Sequence, residues 1–339
     1  MLVYWKLGTF SKWEEDTSQT LKLKFYSVDI KPRMKHLHLF ESYRKSKLVP
    51  NNTQENFLYK AVHSEDGRYR RGSWGFDYSQ DPPLVNVHGS VTVDKGRKTL
   101  SGLHFGKVTG SFNLNTQDFT SVKGFPIEVG GDLVISGNLI KSLKDLPTKR
   151  VGRAFSARGC GLTSLEGCPE EIGENLFVEM NRLTTLEGAP KIMPDDAKVN
   201  CYSRGVFSDL PLVSLEGLPS NLSPENIQTE SSFPSMKRLP QDFLRDGYRM
   251  FKETGSWVPY YIKLDLEYSD KEFFTEEFIL EKLDPIKIQK FIDDFPEKAI
   301  VMITPWVKAK KGSRYDGLKF PENLKGERDL LSDLGDIGL

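Results

Sequence analysis

The fold is decided by one phrase that the sequence repeats: LVISGNLIKSLKDLP at residues 133–147, FSARGCGLTSLEGCP at residues 155–169 and LFVEMNRLTTLEGAP at residues 176–190. Glycines keep step with the phrase at positions 89, 110, 131, 152 and 173, so each step is 21 residues. A fixed period in the low twenties is typical of a solenoid, in which successive coils of the chain stack on one another. We therefore predict that residues 89–230 form a stack of similar coils.

One residue in each repeat fixes the alignment of the others. These residues are Gln117, Asn138, Cys160 and Asn181, with steps of 21, 22 and 21 residues between them. In every repeat, apolar residues lie five and three positions before this residue and five positions after it. Two apolar residues spaced by two share one face of a strand, so we expect parallel strands over a common core. A buried amide at the turn can bond backbone groups that burial would otherwise leave unpaired, and Cys160 is a small substitute for it.

Glycine and proline mark the bends of each coil. The Gly-x-Pro ending, as at Gly167 and Pro169, is expected to bend the chain and to prevent a long helix. Gly131, Gly152 and Gly173 are expected to permit the tight return into the next strand. The step from Leu183 to Leu212 is longer, 29 residues, and we expect this stretch to bulge from the stack or to begin the exit from it.

The pattern resembles the leucine-rich repeat, Leu-x-Leu-x-x-(Asn/Cys)-x-Leu-x-x-Leu, in its short bacterial form with a proline-containing convex side. It is most similar to repeats of tailed-phage proteins, and next to those of secreted bacterial effectors. The resemblance implies an α/β repeat that binds a protein through its concave strand face, although packing against the flanking domains is an equal alternative. The residues expected to point to that face are Asn113, Asn115, Val134, Ser136, Ser156, Arg158, Phe177 and Glu179.

Residues 1–88 are rich in aromatic and β-branched residues, which predicts a β-rich domain or a cap over the first coil. Residues 21–30 alternate between apolar and polar types, as a half-buried strand does. His36 and His38 would share one side of a strand, but no third ligand accompanies them, so we predict no metal site.

A second possible binding patch mixes arginines with an aromatic residue: Arg68, Arg70, Arg71 and Trp74. Arginines can bind phosphates and aromatic rings can stack on bases, and the same residue types are also common at protein interfaces. Residues 1–95 carry 15 basic and 11 acidic side chains, a net charge of only +4. We therefore favour a hairpin with solvated arginines, and nucleic-acid binding remains an alternative.

Residues 231–339 change in character and are predicted to form an α+β domain. Helices are expected over residues 240–253 and after Asp284, where Pro285 follows a good capping residue. Strands are expected over residues 258–268, which alternate, and over residues 299–303, which form a short apolar run. The complete predicted fold is a short leucine-rich-repeat solenoid between an N-terminal β-rich cap and this α+β domain.

The composition excludes several classes of protein. The 339 residues carry 47 basic and 47 acidic side chains, so the net charge does not indicate binding to a nucleic acid or a membrane. No run of apolar residues reaches the length of a membrane span, and the N-terminus lacks the pattern of a signal peptide. Three cysteines without paired spacing indicate reduced thiols and a cytoplasmic protein.

The sequence favours a binding protein over an enzyme. It contains no recognisable nucleophile–base pair, metal cluster or cofactor motif, so we assign no catalytic residue and no cofactor. The leading hypothesis is a protein of phage or bacterial origin that binds another protein, as a host-directed inhibitor or as an assembly component. The alternatives are a structural protein of a virion and a nucleic-acid-associated protein.

Overall fold

The computed structural model describes three strands near the N-terminus and most of the chain beyond them, over residues 4–6, 9–15, 21–27, 52–63, 73–114, 118–202, 212–229, 239–268 and 273–321. The chain divides into two compact units, Met1–Asn51 and Asn52–Leu339. The first unit contains an antiparallel sheet of strands β1 (Tyr4–Lys6), β2 (Thr9–Glu15) and β3 (Leu21–Ser27). The predicted strand over residues 21–30 is confirmed at β3, whereas His36 and His38 lie outside the described residues.

The second unit is built around a long sheet of eight strands, parallel except at its first pair. In spatial order these are β4 (Val62–His63), β7 (Ser90–Thr92), β9 (Phe112–Asn113), β11 (Leu133–Val134), β13 (Phe155–Ser156), β15 (Leu176–Phe177), β16 (Val199–Asn200) and β17 (Ile227–Gln228). The predicted parallel solenoid is confirmed, and the apolar residues that the template aligns are fully buried in one row. These residues are Phe112, Leu133, Phe155 and Leu176, and the structure extends their row with Val199 and Ile227, which the template did not include.

The coils that carry β7 to β15 also contribute to a second, shorter sheet, which the sequence pattern did not reveal. Its strands are β5 (Ser73–Asp77), β6 (Leu84–His88), β8 (His104–Val108), β10 (Glu128–Val129), β12 (Arg150–Val151) and β14 (Glu171–Ile172). All pairs are parallel except β5 with β6. Strands β5 and β6, which we expected in an N-terminal domain, are therefore the first two strands of this sheet.

The two ends of the stack depart from the expected plan. Helix α1 (Asn52–Ala61) precedes β4 and buries Phe57 and Leu58 in the core. At the other end, the long step contains β16, which pairs with both β15 and β17. The expectation that the chain begins to leave the stack here is therefore wrong, because Val199 supplies a buried residue to the same row. Residues 203–211 lie outside the described residues, so the alternative of a bulge stays a prediction.

The glycines between the two sheets have a different role from the expected one. Gly152 and Gly173 lie at the corner between a strand of the short sheet and a strand of the long sheet. A Cβ atom on Gly152 would lie 2.1 Å from the Gly130 carbonyl oxygen, and one on Gly173 would lie 2.1 Å from the Gly152 oxygen. These positions require glycine because adjacent coils touch there through their backbones. Gly167 differs, since it combines such a contact with a φ of +89°.

The side chain of Asn181 closes the turn between two coils, as predicted. Its Oδ1 accepts hydrogen bonds from the N–H groups of Cys160 and Leu162, each at 3.0 Å. Its Nδ2 donates to the carbonyl oxygens of Ala157 and Val178, each at 2.8 Å. One buried amide therefore satisfies four backbone groups on two coils.

Asn138 repeats this arrangement two coils earlier in the stack. Its Oδ1 accepts from the Phe119 N–H at 3.1 Å, and its Nδ2 donates to the carbonyls of Leu114 and Ile135 at 2.6 and 2.8 Å. Between the two asparagines, the Cys160 thiol donates to the Ile135 carbonyl at 3.2 Å. Burial raises the pKa of this thiol to about 11, so it remains protonated. The predicted structural role of Cys160 is confirmed.

A second column of polar side chains stabilises the other bend of each coil. In six coils a hydroxyl accepts a hydrogen bond from the N–H two residues later, at 3.0 to 3.4 Å. Serine and threonine form such local turns readily. The hydroxyls belong to Thr99, Ser121, Ser142, Ser164, Thr185 and Ser214.

The last part of the second unit is helical in all its described elements after residue 239. The helices are α2 (Gln241–Thr254), α3 (Val258–Glu267), α4 (Glu276–Lys282), α5 (Pro285–Asp294) and α6 (Pro296–Ala309). Two predicted helices are confirmed as α2 and α5, and the Asp284 carboxylate caps α5 by accepting from the Ile286 N–H at 2.7 Å.

The prediction of an α+β domain is wrong for these residues. The two expected strands are α3 and part of α6. In α3, the adjacent residues Tyr260, Tyr261 and Ile262 are all buried, so the helix is covered on more than one face. An enclosed helix shows no clear 3.6-residue period, and its sequence is then easily read as a strand. In α6, packing outweighs the weak helix preference of the β-branched residues.

Three tyrosines attach these helices to the last coils of the solenoid. The Tyr248 hydroxyl donates to the Pro219 carbonyl, and the Tyr260 hydroxyl donates to the Val213 carbonyl. The Tyr261 hydroxyl lies 3.0 Å from Ser214 Oγ. The helices therefore cover the apolar end that a stack of coils would otherwise expose.

We expect Asn181→Ala to lower the free energy of unfolding by at least about 2 kcal/mol, because buried backbone groups on two coils lose their partners. Urea unfolding followed by circular dichroism measures the change. The control is Arg182→Ala, which truncates the exposed neighbouring side chain. Equal stability of the two variants would show that the amide does not hold the coils together.

Candidate binding face

The outward side chains of the long sheet form one continuous row, which we call the outer row. Parallel pairing places these residues side by side, one from each strand from β7 to β17. Alternation along each strand turns them away from the buried row. The outer row consists of Thr92, Asn113, Val134, Ser156, Phe177, Asn200 and Gln228.

The structure places most of the predicted face residues on this side of the sheet. Asn113, Val134, Ser156 and Phe177 belong to the outer row and are half-buried. Arg158 lies two residues beyond Ser156 and is also half-buried. Asn115 lies outside the described residues.

Two of the predicted residues, Ser136 and Glu179, are buried rather than exposed, at 8% and 3%. Ser136 Oγ lies 2.8 Å from Ser156 Oγ and accepts from the Arg158 N–H at 3.1 Å. Glu179 lies against the Arg158 side chain. The expectation that both residues are available on the surface is wrong, because side chains of neighbouring coils cover them.

A compact cluster on the same side of the long sheet as the outer row consists of Arg158, Phe177 and Glu179. The Arg158 guanidinium carbon lies 4.5 Å from the centre of the Phe177 ring, which is a cation–π contact. Arg158 Nε lies 2.5 Å from Glu179 Oε1, which makes an ion pair. Glu179 Oε2 is buried and has no hydrogen-bond partner among the described residues.

Burial decides the electrostatics of this cluster. It raises the pKa of the Glu179 carboxyl, while the Glu179 backbone N–H and the charge of Arg158 act in the opposite direction. Burial also raises the pKa of the Cys201 thiol, and the negative charge of Glu179 raises it further. Cys201 is therefore an inert thiol beneath the face, in agreement with the free and buried state of all three cysteines.

The short sheet differs because its outward charges pair between coils. Glu128 lies 3.0 Å from Lys107 and 4.0 Å from Arg150, and Arg150 lies 2.9 Å from Glu171. These pairs are exposed, so each contributes little to stability. Their alternating signs nevertheless leave few free charges on this side for a partner.

The glutamate of the repeated Leu-Glu-Gly phrase links the C-terminal helices to the coils of the solenoid. Lys282 of α4 is 6% exposed, forms an ion pair with Glu187, and lies 3.0 Å from Glu216 of the next coil. The Tyr261 hydroxyl donates to Glu216 at 2.5 Å. Burial alone would lower the pKa of Lys282, but its bonds to Glu187 and Glu216 outweigh burial and raise it. The repeated glutamate was visible in the sequence, whereas its distant lysine partner was not.

The second predicted patch lies mainly beyond the described residues. Arg68, Arg70 and Arg71 are in the undescribed stretch 64–72. Trp74 is in β5 and packs edge-to-face on Tyr59, with ring centres 5.1 Å apart. Its position is therefore explained by packing against α1.

Within the described ranges, no group of three His, Cys, Asp or Glu side chains is placed to hold a metal ion. None of the helices in the described part of the chain combines the length and the apolar character that a membrane span requires.

The chain was also compared with known proteins. No protein-family model matches it, and neither a curated protein nor a solved structure is significantly similar to it. Its function must therefore be inferred from its own geometry.

We expect Glu179 to contribute a fall in the free energy of unfolding as the pH rises above about 4.3, the pKa of an unfolded glutamate. The folded chain holds the Glu179 proton to higher pH than the unfolded chain does, so deprotonation favours unfolding. In Glu179→Gln this fall should be smaller. Urea unfolding at a series of pH values tests this, with Glu170→Gln as the control at an exposed glutamate. Parallel profiles for the wild type and Glu179→Gln would contradict it.

Proposed function

We propose that the chain is a protein-binding solenoid whose partner docks on the outer row of the long sheet. The observation that carries this proposal is the guanidinium of Arg158, stacked on Phe177 within an otherwise open sheet face. Arginine and aromatic side chains supply much of the binding energy at protein interfaces. An arginine already held over a ring also loses less freedom when a partner binds.

The distribution of charge favours this face over the others. The outward charges of the short sheet are engaged between coils, and the helices occupy Glu187 and Glu216. The outer row instead carries amides, hydroxyls and the apolar side chains of Val134 and Phe177. Such a mixture is typical of a protein interface, in which an apolar centre is surrounded by polar groups.

Membership of the leucine-rich-repeat proteins is part of the proposal. It is supported by Asn138, Cys160 and Asn181, which bond the backbone at the turn positions of the template. We extend the proposal to a phage or bacterial protein that acts in the cytoplasm, either as a host-directed inhibitor or as an assembly component. Its resemblance to the phage-type repeat phrase is the support for that origin.

We expect Phe177→Asp to fold normally and to weaken partner binding by at least about 30-fold, which corresponds to about 2 kcal/mol. The half-buried ring is the apolar anchor of the face, and a carboxylate removes that apolar surface and can pair with Arg158 in place of the partner. The matched control is Leu139→Asp, which adds the same charge at a side chain that is 56% exposed and away from the outer row. Thermal unfolding verifies that both variants fold.

The experiment uses the full chain, immobilised and exposed to lysate of a candidate bacterial host, with and without nuclease treatment. A retained protein is then purified, and its affinity for the three forms is measured. The proposal predicts a stoichiometric partner that binds the wild type and Leu139→Asp equally and Phe177→Asp weakly. Equal binding by Phe177→Asp would contradict it. Retention of nucleic acid alone, or assembly of the chain into large particles, would instead favour one of the two alternatives.

A further inference from the structure

At one position of the repeat, the charge of the side chain changes from positive to negative along the solenoid. This column of side chains follows the buried leucine or valine of each bend and consists of Ser101, Lys123, Lys144, Glu166, Glu187 and Glu216. Lys144 lies 3.4 Å from Glu166, and Lys282 pairs with the last two glutamates. Lys123 makes no ion pair with a described carboxylate. The early end of this column is therefore left with an uncompensated positive charge.

A cavity of about 510 Å³ opens beside Lys123, between the first two coils. Its charged and imidazole side chains are those of Lys98, Lys123 and His104. No carboxylate is present among the described residues that line it. This volume lies within the range of small-molecule sites, about 300 to 1,000 Å³.

Hydroxyl groups complete the polar part of the wall, and apolar side chains form the rest. Thr99, Ser101 and Ser121 contribute the hydroxyls, whereas Leu100 and Phe119 are buried apolar residues. Hydroxyls and ammonium groups together offer several hydrogen-bond donors to one ligand. The apolar residues offer a surface for a part of the ligand that carries no charge.

The positive charge of Lys123 affects the protonation of His104, which also lines the cavity. Burial lowers the pKa of His104, and the positive charge of Lys123 lowers it further. His104 is therefore neutral at neutral pH and can donate one hydrogen bond through its ring. An anion bound there would restore part of the charge balance that the other coils achieve with glutamates.

The backbone beside the cavity adopts a strained conformation. Ser101 has a φ of +56°, one of two positive values at non-glycine residues within the described part of the chain. The Gln54 amide donates to the Ser101 carbonyl at 3.3 Å, and Arg97 Nη1 lies 3.5 Å from Ser101 Oγ. Such strain costs about 1–3 kcal/mol and is found most often at functional sites.

We propose that this cavity binds a phosphate group, either free or as the monoester of a small molecule. Ammonium groups are common phosphate ligands, and charge-assisted hydrogen bonds from lysine are stronger than neutral ones. A cationic ligand would be repelled by the same side chains. The site is separate from the outer row and does not depend on the protein-binding proposal.

Isothermal titration at low ionic strength tests this site with three probes: inorganic phosphate, glucose 6-phosphate and adenosine 5′-monophosphate. The test variant is Lys98→Gln combined with Lys123→Gln. The control combines Lys141→Gln with Lys191→Gln, two exposed lysines outside the cavity, so that both variants lose the same charge. Circular dichroism verifies that both remain folded.

We expect at least one probe to bind the wild type and the control, and the cavity variant to bind about tenfold or more weakly. Tighter binding of a monoester than of inorganic phosphate identifies a small phosphorylated molecule as the ligand, and equal binding identifies free phosphate. The proposal is overturned if no probe binds at about 10 mM. It is equally overturned if the control loses as much affinity as the cavity variant, because net charge alone would then explain binding.

Discussion

The structure depends on the way each coil satisfies the backbone of its neighbour. Most strands of the solenoid are only two or three residues long, so many backbone groups lie in turns that must nevertheless be buried. Unpaired groups of this kind would cost about 1–3 kcal/mol each. The amides of Asn138 and Asn181 pair them across coils, and at the opposite bend the serine and threonine hydroxyls accept from backbone N–H groups of their own coil. The repeated phrase is therefore a set of hydrogen-bonding requirements as much as a pattern of leucines.

This requirement also divides the surface into parts with different uses. The inward residues form the core of the stack, and the turn residues bond its backbone. The outward charges of the short sheet pair with one another, and Glu187 and Glu216 bind Lys282. The outer row of the long sheet and the cavity beside Lys123 remain, and we propose a protein partner for the first and a phosphate group for the second. The side chains on which the two assignments mainly depend are Phe177 in the outer row and Lys98 and Lys123 beside the cavity, and none of the three belongs to the buried core.

The sequence was sufficient to predict the buried row of the long sheet and the asparagine turns beside it. Each asparagine fixes the inward residues by spacing alone, and Leu133 and Leu176 are fully buried as the template requires. It did not reveal strands such as Glu128–Val129, because only one residue of that strand is buried, whereas the template depends on two apolar residues two positions apart. Nor did local pattern identify α3, whose buried tyrosines depend on neighbouring helices. For the face, alternation placed Phe177 and Glu179 on one side of the sheet, but only packing decides that Arg158 covers Glu179.

Native-state hydrogen exchange of the turn amides tests the central claim most directly. If buried asparagines hold the coils together, the N–H groups of Cys160, Leu162 and Phe119 should exchange only when the whole solenoid unfolds. Their exchange free energies should then equal the free energy of unfolding measured with denaturant. Much smaller values at these three amides, similar to those of exposed bends, would show that the turns open locally and that the coils are held together by other contacts.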